Sequence, residues 1–320
     1  MKNLIFIWLI VAAKSTIAQQ TGLTESYPFQ KLGHNPALAS LDQKLHAVVL
    51  GQYGDLNETE NLKNYYLAME VPILKSMGLA VQYSDYSYNY TYLKNLSLSI
   101  SKHIKLGENT TFSYGFTGGQ VNTTIDYENN NTLTVVKEAD KNSSAIISKT
   151  PINSAGQYSE NQYLLGAGVF LNANQWHIGI AIPNIIKNQI PLVIDPNTQV
   201  VLERPAYFSL EKDFKLSDKL KLTSGGLYRF TKNPYQKGLD IQSSVMLNEK
   251  YSLGLWYQRI GAEQIKNQNK PLLVVAEIII KKARLAYSVN LINNSSSYSN
   301  IKQQIMLRLD IDYLKKKQKI

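Results

Sequence analysis

The side chains best suited to catalysis or metal binding are sparse and scattered in this protein. Its 4 histidines are His34, His46, His103 and His177, and it has no cysteine. None of the histidines pairs with another at metal-ligand spacing, so neither a zinc site nor a Cys-based nucleophile can be assembled from local sequence. No G-x-S-x-G elbow, phosphate-cradling loop or dinucleotide fingerprint occurs. The pairs Gly118-Gly119 and Gly225-Gly226 lie inside strand-like stretches, where glycine marks a kink or close packing. His103 alternates with Ser97, Ser99 and Ser101, which reads as an inward polar row near a turn. The expectation is a protein with no catalytic residues, no metal and no cofactor, hence not an enzyme.

The chemistry that remains is electrostatic. Glu70, Glu211, Lys221, Arg229, Asp240, Glu277, Arg284, Arg308 and Asp310 all fall on the polar faces of alternating segments. They imply either a hydrated interior whose charges pair across strands or a solute-selective pore. Glu211, Arg229, Glu277, Arg284 and Arg308 are the candidate lumen charges.

The segments that must position them have a period of two, which indicates strands. In residues 63–71, Lys63, Tyr65, Leu67, Met69 and Val71 face one way, and Asn64, Tyr66, Ala68 and Glu70 the other. Near the C-terminus Ile305, Leu307 and Leu309 oppose Gln304, Met306, Arg308 and Asp310. Strands are expected at 44–54, 62–71, 77–88, 91–105, 109–125, 161–171, 174–182, 204–215, 218–231, 237–248, 250–260, 270–280, 283–292 and 300–313. Each is long enough to cross a bilayer as a tilted strand, which takes about 9–11 residues. A soluble sandwich would also alternate, but it has no reason to sort its connections. Here they are sorted. Pro72 to Lys75, Leu106 to Glu108, Asn172-Ala173, Leu216-Ser217, Asn248-Glu249 and Lys281-Lys282 are short. The intervening connections 55–61, 126–160, 183–203, 232–236, 261–269 and 293–299 are longer and more polar, with a tight one only near Asn89. The fold class implied is all-β: a transmembrane antiparallel β-barrel of about fourteen strands, with short periplasmic turns and longer extracellular loops.

Composition agrees. Tyr numbers 21 against Phe 8 and Trp 3, an excess suited to a surface that is part lipid and part wet interface. Lys2, the apolar run Leu4 to Ala13 and the small residues of Thr16-Ile17-Ala18 read as a signal peptide over 1–18. Residues 19–43 contain Pro28, Gly33 and Pro36 and lack alternation, so they read as an irregular periplasmic or plug-like segment ahead of a barrel spanning 44–313. The Asn-rich stretch 126–160 reads as a long external loop without periodicity, and 314–320 as a basic tail. The formal charge is +10, yet no nucleic-acid-binding motif accompanies it. The lysines at 281–282 and in the tail are read as solvated ends or contacts to anionic headgroups.

Gln19-Gln20 is followed by Asn35-Pro36-Ala37, and Gly179 to Ile186 reads G-x-x-x-P-N through Pro183-Asn184. In these stretches the sequence resembles the opening and the central motif of the PorP/SprF family of outer-membrane proteins of the type IX secretion system. LKLTSGGLYRF (220–230) and YSLGLWYQR (251–259) match its later strands in character. The sequence departs from the pattern in its less aromatic opening, its long 126–160 insertion and its lysine-rich end. The resemblance implies an accessory outer-membrane anchor. Its partners would be a secreted cell-surface adhesin, periplasmic secretion and gliding components, and outer-membrane lipid. The alternative is a porin or small-solute transporter.

Overall fold

A computed structural model describes residues 29–57, 60–88, 91–126, 132–137, 146–151, 157–186, 189–192, 195–201, 205–231, 237–260, 272–290 and 301–311. The signal peptide expected over 1–18, the first part of segment 19–43 and the basic tail lie outside the described residues.

The described part opens with one helical turn, α1 (Lys31–His34), and a 3₁₀ turn at Pro36–Leu38. Strands follow in the order β1 (Leu45–Asn57), β2 (Glu60–Leu74), β3 (Met77–Tyr88), β4 (Thr91–Gly107), β5 (Thr110–Asp126), β6 (Thr132–Lys137), β7 (Ile146–Pro151), β8 (Gln157–Ala173) and β9 (Trp176–Ile182). The remainder are β10 (Gln189–Leu192), β11 (Asp195–Val201), β12 (Ala206–Lys215), β13 (Leu220–Phe230), β14 (Gly238–Leu247), β15 (Tyr251–Ile260), β16 (Leu272–Ile280), β17 (Ala283–Asn290) and β18 (Ile301–Ile311).

Fourteen of these close into one antiparallel barrel in the order β1-β18-β17-β16-β15-β14-β13-β12-β9-β8-β5-β4-β3-β2. Closure is made by the first and last strands, with Leu45 opposite Ile311 and Asp55 opposite Ile301. A closed barrel leaves no unpaired strand edge, which is the condition for crossing lipid with strands. Alternation sorts the faces as expected. Tyr65, Leu67 and Met69 of β2 are exposed outside, while Asn64, Tyr66, Ala68 and Glu70 are buried inside. Among the described residues no helix is long and apolar enough to cross a membrane.

The short connections are tight. Residues with left-handed backbone, Asn174, Asn248, Glu249 and Lys281 (φ 52–56°), turn the backbone at three of them. Two expectations for the longer connections need correction. The 55–61 connection is mostly strand, because β1 runs to Asn57 and β2 begins at Glu60. Within 126–160, expected to be a loop without periodicity, and 183–203, expected to be a long connection, β6 pairs with β7 and β10 with β11 as separate hairpins. The barrel strand β8 also begins at Gln157, inside the stretch read as loop. The strands of the two hairpins are only 4–7 residues long, too short for a period-two signal to stand out.

Candidate functional site in the barrel lumen

Residues 29–44 enter the barrel and line its interior. The turn that aims this segment is built locally. Pro36 opens the 3₁₀ turn with its φ already fixed, and the Asn35 side-chain oxygen accepts a hydrogen bond from the Ala37 N–H at 3.0 Å. The Asn35 amide then donates to the carbonyl of Val169 on β8 at 3.0 Å. Further along, the Ala39 carbonyl accepts from Ser101 Oγ at 2.7 Å and lies 3.1 Å from His103 Nε2 on β4. The other nitrogen of His103 sits 2.9 Å from Ser113 Oγ on β5. His103 is therefore a seat for the segment.

The wall is thinned to admit this backbone. A β-carbon at Gly78 would overlap the Ala39 carbonyl, and one at Gly115 would stand 2.5 Å from the Pro36 carbonyl oxygen. Leu32 and Ala39 pack with Val48, Leu50, Tyr66, Ala68, Ala80, Ala286 and Met306. This is an apolar core inside the lumen, contributed in part by the segment. Burying Leu32 stabilises the arrangement by about 1.5–3 kcal/mol.

Two sets of charges hold its ends. Lys31 Nζ donates to Glu211 of β12 at 2.6 Å, and Gln242 donates to the same carboxylate at 3.0 Å. At the far end Ser40 and Gln43 take left-handed backbone (φ 50° and 59°), a conformation costly for residues other than glycine. It is stabilised by the Ser40 N–H donating to Glu70 at 2.7 Å, Ser40 Oγ to the Lys44 carbonyl at 2.9 Å, and Gln43 Nε2 to the Ser40 carbonyl at 3.1 Å. Beside this turn His46 faces two carboxylates, Asp42 at 2.6 Å and Asp310 at 2.7 Å. Arg308 donates to Asp310 at 2.6 Å, and its Nη2 lies 3.0 and 3.1 Å from the two ring nitrogens of His46. That guanidinium occupies the place a bound cation would need, so the cluster is an ion network. At Asp42, burial works against ionisation, but the His46 hydrogen bond and the charges of His46 and Arg308 outweigh it and hold the carboxyl below its ordinary value. Among the described residues no group of His, Cys, Asp and Glu is arranged to hold a metal.

The segment fills one side of the lumen. A cavity of about 590 Å³ is lined by both the segment and the barrel wall. One wall of it is apolar, made by Tyr207, Leu227, Trp256 and Val275, with Leu273 packed behind them. Its charged lining includes two pairs, Lys221 with Asp213 at 2.9 Å and Arg284 with Glu277 at 3.2 Å.

A family model described as type IX secretion system membrane protein PorP/SprF matches residues 16–309. The chain belongs to the PorP/SprF family. Its barrel is also similar to a solved FadL homologue of Pseudomonas aeruginosa (12% identity, 87% of this chain and 93% of that one, TM-score 0.53). A second solved barrel, the CymD monoaromatic hydrocarbon channel, shows 9% identity over 92% and 95% of the two chains with a TM-score of 0.52. At these identities the likeness concerns the fold alone. No curated protein matches the sequence significantly. The family and the barrel identify an outer-membrane protein of a secretion system.

In this PorP/SprF protein the two family-like motifs meet across β8. Asn35 bonds to Val169, while Pro183 approaches Gly166, and Pro36 and Pro183 line one small crevice with Leu164. Asn184 is buried, and its side-chain oxygen accepts from the Ile186 N–H at 3.1 Å. Ala37 is fully buried. The lumen charges are distributed differently from a single pore ring. Glu277 and Arg284 pair with each other, Arg308 joins the His46 network, Glu211 takes Lys31, and Arg229 is buried on β13 opposite Gly238. Lys31 and His46 had no distinguishing sequence signal, because Glu211 and Asp310, to which they bond, lie on strands remote in the sequence, and Asp42 joins the network through His46 four residues on.

Proposed function

We propose that this PorP/SprF protein is a non-catalytic outer-membrane anchor of the type IX secretion and gliding machinery that supports export or surface retention of a cognate adhesin. The observation carrying this reading is the seating of residues 29–44 inside a fourteen-stranded barrel of a secretion-system family. Barrels of about eight strands are filled by their own inward side chains, whereas wider ones conduct unless something occupies them. A protein that holds a partner gains from an occluded lumen, and a segment fixed by Asn35, Ala39, Ser40 and Lys31 serves that end. In this reading the short turns and the start of β1 face the periplasm. The long connections, including hairpins β6–β7 and β10–β11, face outward and offer the adhesin its contact.

Purification from native membranes with identification of the bound proteins tests the proposal. Recovery of a secreted adhesin, together with loss of that adhesin from the surface of cells lacking this protein, is expected. Normal surface display in its absence would overturn the reading.

The cavity beside the segment favours a second reading, a porin or small-solute transporter. The two part in a planar bilayer: a steady open channel supports transport, and a closed barrel supports the anchor.

A further inference from the structure

The two ends of the barrel meet the membrane differently. At the short-turn end the exposed apolar residues run up to the turns themselves: Leu74 (60% exposed), Leu106 (63%), Leu216 (55%) and Ile280 (59%) are the last outward residues before or at the reversal. Apart from the outward Lys102 on β4 and Lys212 on β12, the lipid-facing belt of the described strands reaches the turns without a polar margin. At the other end β5 and β8 continue past the belt with polar outward faces. There Asn122 donates to Ser159 at 3.1 Å and to Asn161 at 2.9 Å, and Thr124 to Ser159 at 3.0 Å. The barrel is thus flush with one membrane surface and stands proud of the other.

The flush end is also cationic. Its turns expose Lys75, Lys219, Lys250, Lys281 and Lys282. Lys215 neutralises Asp218, 2.7 Å away, which leaves Glu108 and Glu249 as the acids of the described short turns. Lys212 on the outer face lies 4.4 Å from the ring of the exposed Trp176 and 4.9 Å from that of Phe214. An ammonium carried on outward aromatic rings sits at the boundary between hydrocarbon and headgroup. Because the apolar belt ends at these turns, the lysines lie in the headgroup plane.

We infer that this rim is a binding collar for the phosphates of anionic phospholipids. Their source is the leaflet that meets the short turns. The collar fixes the depth of the barrel and selects its lipid shell. It rests on the membrane placement of the apolar belt and not on which way the barrel points, so it can fail while the anchor reading stands.

The test uses the full-length protein reconstituted in vesicles of phosphatidylcholine mixed with phosphatidylglycerol, followed by mild extraction and measurement of the lipid retained. The intact protein is expected to enrich phosphatidylglycerol, and high salt to abolish the enrichment. Replacing these five exposed lysines by Gln should remove it. The double variant Lys63→Gln, Lys94→Gln at the opposite end should enrich like the parent. Equal retention of the two lipids by the intact protein would overturn the collar and leave the rim to an acidic protein partner. Loss of enrichment in the opposite-end variant would overturn it as well. If the rim variant fails to insert, the salt response of the intact protein decides: enrichment that survives high salt refutes the proposal.

Discussion

The Glu70 carboxylate on β2 accepts a hydrogen bond of 2.7 Å from the backbone N–H of Ser40, a residue thirty positions earlier whose φ of 50° is left-handed. Both groups are buried. The bond joins the wall of the barrel to the turn through which the inner segment becomes the first strand. Glu70→Leu leaves the Ser40 donor unpaired and should cost about 1–3 kcal/mol. Glu70→Gln retains an acceptor oxygen and should cost clearly less. Urea unfolding in detergent distinguishes them, and equal losses would remove this bond from the account.

The glycine cradle supplies a prediction about conductance. In Gly115→Val the new side chain would occupy the space of Pro36 and Ala37, so the segment should be displaced and single-channel conductance should rise. Gly51→Val is the control, since no atom lies within 4 Å of its added β-carbon. An unchanged conductance in Gly115→Val, with the segment shown to have moved, would mean that something else closes the lumen.

Asp42 confers a pH dependence. Its carboxyl is held below the ordinary value of 3.8, with burial outweighed by His46 and Arg308. A depressed folded-state value contributes stability that is fully present above the unfolded value and disappears as pH falls through the folded one. The stability difference between the parent and Asp42→Asn should therefore be constant near neutral pH and shrink below about pH 4. Paired denaturation curves across that range check the sign, and a difference that grows on acidification would contradict it.

Leu285 and Leu307 face outward and are exposed to lipid. Arg at either should cost about 2–4 kcal/mol near the bilayer midplane, and less toward an interface. Ser288 on the opposite face is completely buried, so Arg there would overpack. Ser252, which lines the cavity, is the proper comparison. Refolding into vesicles over a graded series of urea concentrations should show Ser252→Arg close to the parent, and equal penalties at Leu307 and Ser252 would deny the lipid face.

Sidedness is testable in intact cells. Protease added outside should cut within 126–160 before any other region and leave Lys281-Lys282 protected. The reverse pattern would invert the proposed orientation.

The strands and their number were legible because side-chain alternation is a local property. Each of β2, β14 and β18 shows its two faces within about ten residues, and lipid on one side with a wet lumen on the other makes the contrast strong. The sorting of short and long connections likewise survives in linear sequence, and with it the barrel class. The family was legible from a succession of short motifs. The hairpins β6–β7 and β10–β11 were not, since strands of 4–7 residues are too short for alternation to stand out.

Only the tertiary structure decided how the lumen is occupied. Asn35 finds Val169, a separation of 134 residues, and Lys31 finds Glu211, a separation of 180. No local pattern encodes such pairings, because they exist only once barrel closure brings the strands around the segment. Gly78 and Gly115 read in sequence as ordinary strand glycines, and their purpose becomes visible only when the Ala39 and Pro36 carbonyls lie against them. Charge is the same case. Alternation assigned Arg308 and Asp310 to the inner face, but closure of β18 on β1 made His46 and Asp42 their partners.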